Sequence, residues 1–503
     1  MSMKSINIKF IAVSLFLLSN FIFPQESKID TVPRYSYGTI NELWQQIDDI
    51  FNDPNFNNGH WGVVIQSLVT GEYFYKKNEN KLFVPASNLK LFTTAAGLNL
   101  LGSDYRFKTE IGYKGNLDGP ILKGDLIVRG YGDPTISGRF FNQDMLKVYN
   151  DWADSLIELG IDEIQGNLIG DDNAFDDVGL GKGWAWDYET DWYAAPASAI
   201  SFNDNCIDIL IKPTRIGQKA EISILPDSKY IVIFNNVLTV PDDSGSSIKV
   251  YRERGTNIVN IYGTITPKTK QYKTYSTVNN PTQFSMVVLK DVLNRKGIKV
   301  SGFALDIDDV SPTKDYSDAF SLFSHYSPPL SEILKVINKS SHNFFAEQLI
   351  KVIGYEIENY GTISNGVEAC EDIFNDMGIN ADNISIFDGS GLSRMNMVTP
   401  NQIITLLNYM YRSDDFQYFY NSLPIAGIDG TLANRMRKTR AQNNVRAKTG
   451  FVYSVRALSG YIFTGDKEPV AFSIIANNFT VPVVLADNIQ DLVCNRLANF
   501  KRK

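Results

Sequence analysis

At 503 residues the chain is longer than one hydrophobic core supports, so two or three domains are expected. Apolar residues at 44%, aromatics at 12% and charged residues at 21% belong to a globular protein and exclude a largely disordered one. A net charge of -8, with no Lys/Arg cluster along the chain, excludes nucleic acid as a partner, because phosphate backbones need a concentrated cationic surface.

Lys4 and Lys9 flank a short polar start, 10–23 is nearly all apolar, and Pro24-Gln25 ends the run. This is the layout of a secretory signal peptide over 1–25, its apolar core falling short of the roughly 20 residues a spanning helix needs. A secreted or periplasmic protein is expected, with peripheral membrane association as a variant of it. Residues 26–38 read as a linker. Ile40, Leu43, Trp44, Ile47, Ile50 and Phe51 then form a helical stripe, and 61–68 with 73–75, around Thr70-Gly71, read as a β-hairpin. Pro85 opens a helix in which Leu89, Phe92, Ala96 and Leu100 recur at helical spacing, with Gly102 as its stop.

From 106 to 277 the texture changes to short β-rich runs, among them 121–128, 165–169, 207–211, 230–234, 248–251 and 258–265, interrupted by one helix at 145–159. Inserted β domains are predicted there. Helices return at 284–296, 329–338, 344–353, 367–377 and 400–411. Three strands follow at 445–452, 457–464 and 470–477, and Leu485, Ile489, Leu492, Val493 and Leu497 mark an amphipathic last helix. The first and last helices are expected to sandwich a single antiparallel sheet. Cys206, Cys370 and Cys494 stand far apart without metal-type spacing, so buried free thiols are expected and no disulfide framework.

Three short motifs carry the chemistry. Ser87 and Lys90, at i and i+3, share a face at a helix start, where unpaired N–H groups favour developing negative charge. Ser341-His342-Asn343 opens a later helix, and Lys448-Thr449-Gly450 lies on the first of the last three strands. Each is weak alone, but S-x-x-K, S-x-N and K-T-G in this order form the set used by penicillin-recognising serine enzymes. Ser87 is the expected nucleophile. Lys90 acts as its base if burial beside other cations, Lys448 among them, lowers its pKa. Ser341 relays the proton to the leaving amine, and Asn343 orients Lys90 and the substrate amide. Lys448 and Thr449 meet a terminal carboxylate, Gly450 lets substrate backbone approach, and the N–H groups of Ser87 and Phe451 form an oxyanion hole.

With these motifs the chain resembles the D-alanyl-D-alanine carboxypeptidases and endopeptidases of the class C, low-molecular-mass penicillin-binding protein type. The resemblance extends to Asp388-Gly-Ser-Gly-Leu-Ser-Arg394, Gly427-Ile-Asp-Gly-Thr-Leu432, Gly132-Asp133-Pro134 and Trp192-Tyr193-Ala-Ala-Pro196 with Asn203 and Asn205. The wide gap between Ser87 and Ser341 is its most specific mark, since the related β-lactamases lack such an insertion. The resemblance implies an α+β fold, a β-lactamase/transpeptidase-like domain with two inserted β-rich domains. The expected division is catalytic domain 26–105 with 278–503, a second domain 106–205 with 264–277, and a nested third domain 206–263. It also implies a penicillin-sensitive serine peptidase acting on peptidoglycan stem peptides ending in D-Ala-D-Ala, or on D-Ala-diamino acid cross-links, with β-lactams as covalent inhibitors and neither cofactor nor metal. Arg394 matches a residue that contacts the substrate's side chain, and Asp187 is carried over with it. His342 and Phe451 depart from the usual pattern, which places only specificity in question.

Rival chemistries fit poorly. His60, His325 and His342 are the only histidines, and neither G-x-S-x-G nor H-E-x-x-H occurs. The glycines of 179–183 and 130–132 miss nucleotide-binding spacings and read as turns. A β-lactamase and a non-catalytic peptidoglycan-binding protein remain the alternatives; the intact Ser87, Lys90, Ser341 and Lys448 speak against the second.

Overall fold

The structure, a computed structural model, describes residues 35–311 and 314–503; the expected signal peptide and the first part of the linker lie outside the described residues. The end of that linker is ordered, since Ser36–Gly38 pairs in parallel with Phe500–Arg502 and so brings the two ends of the described chain together. Among the described residues no helix is long and apolar enough to cross a membrane.

The site is built on a five-stranded antiparallel sheet in the order Arg446–Val452, Val455–Phe463, Pro469–Asn477, His60–Ser67, Tyr73–Lys77. Successive side chains in a strand point to opposite faces. Val63 and Ile65 therefore join one core and Val64 the other. The first of these cores holds both Ile40–Phe51 and Val483–Asn499. The expected sandwich between these helices is thus corrected: they lie on the same face. The opposite face is covered by Lys90–Leu101, onto which Leu330–Lys339, Asn343–Glu358, Ile363–Asp376 and Pro400–Arg412 pack. Because this central helix is enclosed on all sides, it is buried continuously from Lys90 to Leu98 and has no polar face, as expected of a core helix.

The inserted region carries more helix than its strand-and-turn texture suggests. A seven-stranded mixed sheet contains Lys108–Asp118, Ile121–Gly130, Glu163–Ile164 and Leu168–Asp171, and it also takes in Lys299–Val300, Ala304–Asp306 and Phe320–Tyr326. The helices Lys147–Glu158 and Pro281–Arg295 bury their apolar residues in its core. Cys206–Lys212, Glu221–Leu225 and Tyr272–Thr277 form one three-stranded sheet, and Val232–Thr239, Ser247–Arg252 and Ile258–Ile265 another. We therefore propose an insertion running to about residue 327 instead of 277, with 264–277 belonging to the nested part. Strand pairing across more than a hundred residues outweighs the local return of helical pattern at 284. All three cysteines are buried and free.

Candidate active site

Ser87 stands in the short 3-10 turn Ala86–Leu89, and the α-helix begins only at Lys90. The helix start expected at Ser87 opens as this tighter turn, in which Ala86 adopts a left-handed backbone, φ 47°. Three contacts hold this strained turn. Asn88 Nδ2 donates to Lys448 O at 2.9 Å, Asn477 Oδ1 accepts from Val84 N at 2.8 Å, and Gly391 brings its backbone against Ala86. A Cβ on Gly391, itself at φ 85°, would lie 1.9 Å from Ala86 O, so no other residue fits there.

The Lys90 amine is fully buried, with three oxygens around it: Ser390 O at 2.6 Å, Asn343 Oδ1 at 2.7 Å and Ser87 Oγ at 3.0 Å. A carbonyl oxygen and an amide oxygen only accept. A neutral amine therefore spends both its N–H bonds on Ser390 and Asn343, and its lone pair faces the Ser87 hydroxyl. The amide of Asn343 cannot turn around without loss, because its Nδ2 donates to Tyr193 O at 2.7 Å. Burial pushes Lys90 down to about 7, against the opposing charges of Asp388 and Glu347. The expectation that Lys448 lowers it is corrected here: desolvation is the cause, and the repulsion between the two lysines is felt at Lys448.

Ser341 occupies a left-handed position, φ 56°, between Leu330–Lys339 and Asn343–Glu358. Its Oγ accepts from Lys448 Nζ at 2.8 Å, and the same ammonium donates to Thr449 O at 2.9 Å. Burial, reinforced by Lys90, drives the Lys448 pKa well down. Thr449 Oγ1 donates to Thr431 Oγ1 at 2.7 Å, a partner the sequence reading did not single out although it lies in the 427–432 run. Gly450 has a packing reason of its own: a Cβ there would meet Pro85 O at 2.7 Å, so it lets the strand close onto the Ser87 turn. Phe451 is 54% exposed, with the Arg456 guanidinium over its ring.

The insertion reaches this site. Besides the Tyr193 carbonyl, it supplies Trp184, whose Nε1 donates to Asp388 Oδ2 at 2.9 Å, and Tyr188 and Tyr193 pack with Val84, Leu392 and Val452. His342 is buried between Phe345 and Trp192, its Nε2 3.2 Å from Asp204 Oδ2, which also pairs with Arg139. Burial pushes the imidazole pKa down. His342 therefore fastens the insertion to the S-x-N turn and points away from Lys90's contacts. Arg394 is exposed and donates from Nη1 to Tyr453 O at 2.6 Å; Asp187 is exposed beside Tyr188 and close enough to raise the Tyr193 hydroxyl pKa. The structure joins Ser87, Lys90 and Asn343 in one hydrogen-bonded group and Ser341, Lys448 and Thr449 in another, with Asn88 bonding from the Ser87 turn to the Lys448 carbonyl. No hydrogen bond or ion pair joins Arg394 to Asp187 among the described residues.

A buried lysine at the head of a core helix beside a half-buried serine, against the edge strand of an antiparallel sheet, is the arrangement of a serine-type peptidase. The chain belongs to the D-Ala-D-Ala carboxypeptidase 3 (S13) family, whose profile matches residues 43–499, and is a serine-type D-Ala-D-Ala carboxypeptidase. It is 33% identical over 475 residues to a D-alanyl-D-alanine carboxypeptidase of Actinomadura sp. strain R39, covering 92% of this chain and 85% of the relative. It is 25% identical over 455 residues to the D-alanyl-D-alanine carboxypeptidase DacB of Haemophilus influenzae, covering 90% of each. The crystal structure of penicillin binding protein 4 (dacB) from H. influenzae matches with a TM-score of 0.78 at 25% identity, covering 92% of this chain and 99% of that one.

Proposed function

We propose that Ser87 is the acylated residue and that Lys90 is its base; the observation that carries this is the amine whose two acceptors leave its lone pair on Ser87 Oγ. Ser87 Oγ attacks the carbonyl of the penultimate D-Ala of a peptidoglycan stem peptide, and its proton passes to Lys90 Nζ. The N–H groups of Ser87 and Phe451 receive the oxyanion. As the C–N bond breaks, a proton reaches the leaving amine through the Ser341 hydroxyl, which Lys448 orients. Water then attacks the acyl-enzyme and the same groups return the protons.

The terminal carboxylate of the substrate docks at Lys448 and Thr449. Burial lowers the Lys448 pKa, and the charge of the docked carboxylate opposes that fall, so ligand and ammonium stabilise each other. Since Arg446–Val452 is an edge strand, substrate backbone can add alongside it. Arg394 and Asp187 flank the place where a diamino acid side chain, with an amine and in the diaminopimelate form also a carboxylate, would lie. A β-lactam presents its ring carbonyl to the same serine; the H. influenzae protein has also been crystallised with a β-lactam bound. The protein works outside the cytoplasm, where its polymeric substrate is found.

Incubation with benzylpenicillin should add one inhibitor mass, mapped to the peptide containing Ser87 and lost in Ser87→Ala. An adduct on another residue, or acylation of Ser87→Ala, refutes the assignment. Mass analysis of products from whole muropeptides separates removal of the terminal D-Ala from hydrolysis of cross-links, and rapid turnover of penicillin without D-Ala release would make the enzyme a β-lactamase.

A further inference from the structure

Glu347 belongs to none of the three motifs, yet it is 1% exposed and lies one helical turn after Asn343, on the same face of Asn343–Glu358. Its two carboxylate oxygens accept from two consecutive backbone donors, Gly389 N at 3.0 Å and Ser390 N at 2.8 Å. The carbonyl of that same Ser390 receives the shortest hydrogen bond of Lys90, 2.6 Å. We propose that Glu347 is a positioning residue for the acylation base: it fixes the Ser390 carbonyl that aims the Lys90 lone pair, and its charge sets how readily Lys90 gives up its proton. The inference rests on Lys90 being that base.

The chemistry selects a carboxylate here. Two converging N–H donors require two acceptor oxygens, and a glutamine would turn one N–H group against another. A buried carboxylate at this point is otherwise unfavourable, since burial and the neighbouring Asp388 both raise its pKa, while the two backbone donors and Lys90 oppose the rise. The charged groups facing it are Lys90 from the central helix and Asp388 from the loop. Lys448, on the sheet, is itself lowered by the Lys90 charge. On its own helix Lys351 is turned away and paired with Asp176.

Asp388 is placed differently. It accepts from Gly391 N, Ser393 N, Asn396 Nδ2 and Trp184 Nε1, so all of its capacity goes to closing its own loop and holding the insertion. Gly389 packs against Ala346 and Ile350 of the helix bearing Asn343, and Glu347 adds the hydrogen bonds that tie the loop to that helix. Both acceptors of the Lys90 N–H bonds are thereby referred to one rigid helix, Asn343 directly and Ser390 through Glu347. When Ser87 loses its proton to Lys90, the new ammonium forms in a dry site beside a carboxyl already fixed in place, whose pKa burial raises to about 7 and the Lys90 charge draws back down. That stabilises the protonated base without reorganisation.

The test is the pH dependence of benzylpenicillin acylation between pH 5 and 10 in the full chain, paired with direct titration of Lys90 by NMR of labelled lysine, its signal assigned by loss in Lys90→Arg. In Glu347→Gln the amine loses a stabilising charge, so its titration and the acid limb of acylation should both move down by about one pH unit. The weaker base should also lower the plateau rate by about tenfold or more. Glu347→Asp keeps the charge and should return the limb towards the wild-type position. A folded Glu347→Gln protein with both Lys90 titration and acid limb unchanged overturns the proposal. Movement of the titration without the limb shows that Glu347 governs the Lys90 proton but that Lys90 is not the base, and so overturns the reading of Lys90 and not the link between the two residues. Should the glutamine variant fail to fold, the wild-type protein decides: the Glu347 carboxyl resonance must inflect where Lys90 titrates, and a resonance indifferent to Lys90 overturns the proposal.

Discussion

Replacing Asn343 by aspartate changes one group of atoms in the shell of the Lys90 amine and leaves the volume untouched. The acceptor 2.7 Å from Lys90 Nζ becomes part of a carboxylate, and the donor to Tyr193 O becomes a second oxygen. An opposite charge at this range raises a lysine pKa by about 1 to 3 units. Burial holds Lys90 at about 7 in the native site, and a midrange shift would bring it to roughly 9. The ammonium is the inactive form, so the sign is fixed: the acid limb moves to higher pH. At pH 7 the neutral fraction falls from about one half to about one hundredth, a loss of roughly fiftyfold in acylation rate, recovered in large part near pH 10. The assay is the second-order acylation constant with benzylpenicillin across pH 5.5 to 10, with thermal melting as a check on folding. Asn343→Ala is the uncharged control; it should lower the rate at every pH without an upward shift of the limb. An Asn343→Asp protein that folds and keeps the native limb would refute the reasoning, because no base beside a new carboxylate could titrate unchanged.

Arg394→Ala should reduce kcat/KM for a diaminopimelate-bearing peptide by roughly ten- to a hundredfold, the worth of a charge-assisted contact of about 1.5 to 3 kcal/mol, and leave benzylpenicillin acylation unchanged. Equal losses on both would make Arg394 a structural residue. Burial raises Asp133 to about 6, with Thr135 N and Oγ1 as its donors. The folded state therefore binds this proton more tightly than the unfolded chain, and the group costs stability as pH rises from about 4 to 6. Asp133→Asn should flatten that part of a urea-unfolding pH profile and raise stability at pH 7; a profile that keeps its slope would point to other groups. Lys351, 1% exposed and donating to Asp176 Oδ1 and Val178 O, anchors Asn343–Glu358 to the insertion. Lys351→Met should cost about 2 to 3 kcal/mol in chemical denaturation, less than a fully enclosed pair because Asp176 is partly open to water. A smaller loss than 1 kcal/mol would show the pair to be incidental.

The three motifs were legible because each is local: a serine and lysine one turn apart, a helix-opening serine and asparagine, and a strand triplet. The last three strands were legible for the same reason, their burial pattern being written within each run. What escaped depends on distant partners. Lys299–Val300 pairs with Glu163–Ile164 and Phe320–Tyr326 with Lys108–Asp118, and nothing in a seven-residue strand names its neighbour two hundred positions away. An edge read from local pattern alone therefore falls at 277, short of the proposed boundary near 327. Glu347 was passed over although the spacing from Asn343 to Glu347 is itself helical, because a buried glutamate reads from sequence as a solvated charge. Only the convergence of two backbone donors shows what it holds.

The contact between Asn343 Nδ2 and the Tyr193 carbonyl has a consequence for how far this enzyme could be trimmed. An amide side chain has two nearly equivalent ends, and only one of them suits a lysine that must keep its lone pair on the serine. The sheet would keep its strand pairing on excision of the insertion, although Phe175, Ala195, Ala199 and Cys206 would leave the core around Lys90–Leu101. The asparagine, however, would lose the one neighbour that tells its oxygen from its nitrogen. A minimal version would thus keep its sheet and be ambiguous as a catalyst, spending part of its time with an N–H group turned towards the amine it should be accepting from. A designer removing the insertion would have to supply another fixed carbonyl at this spot.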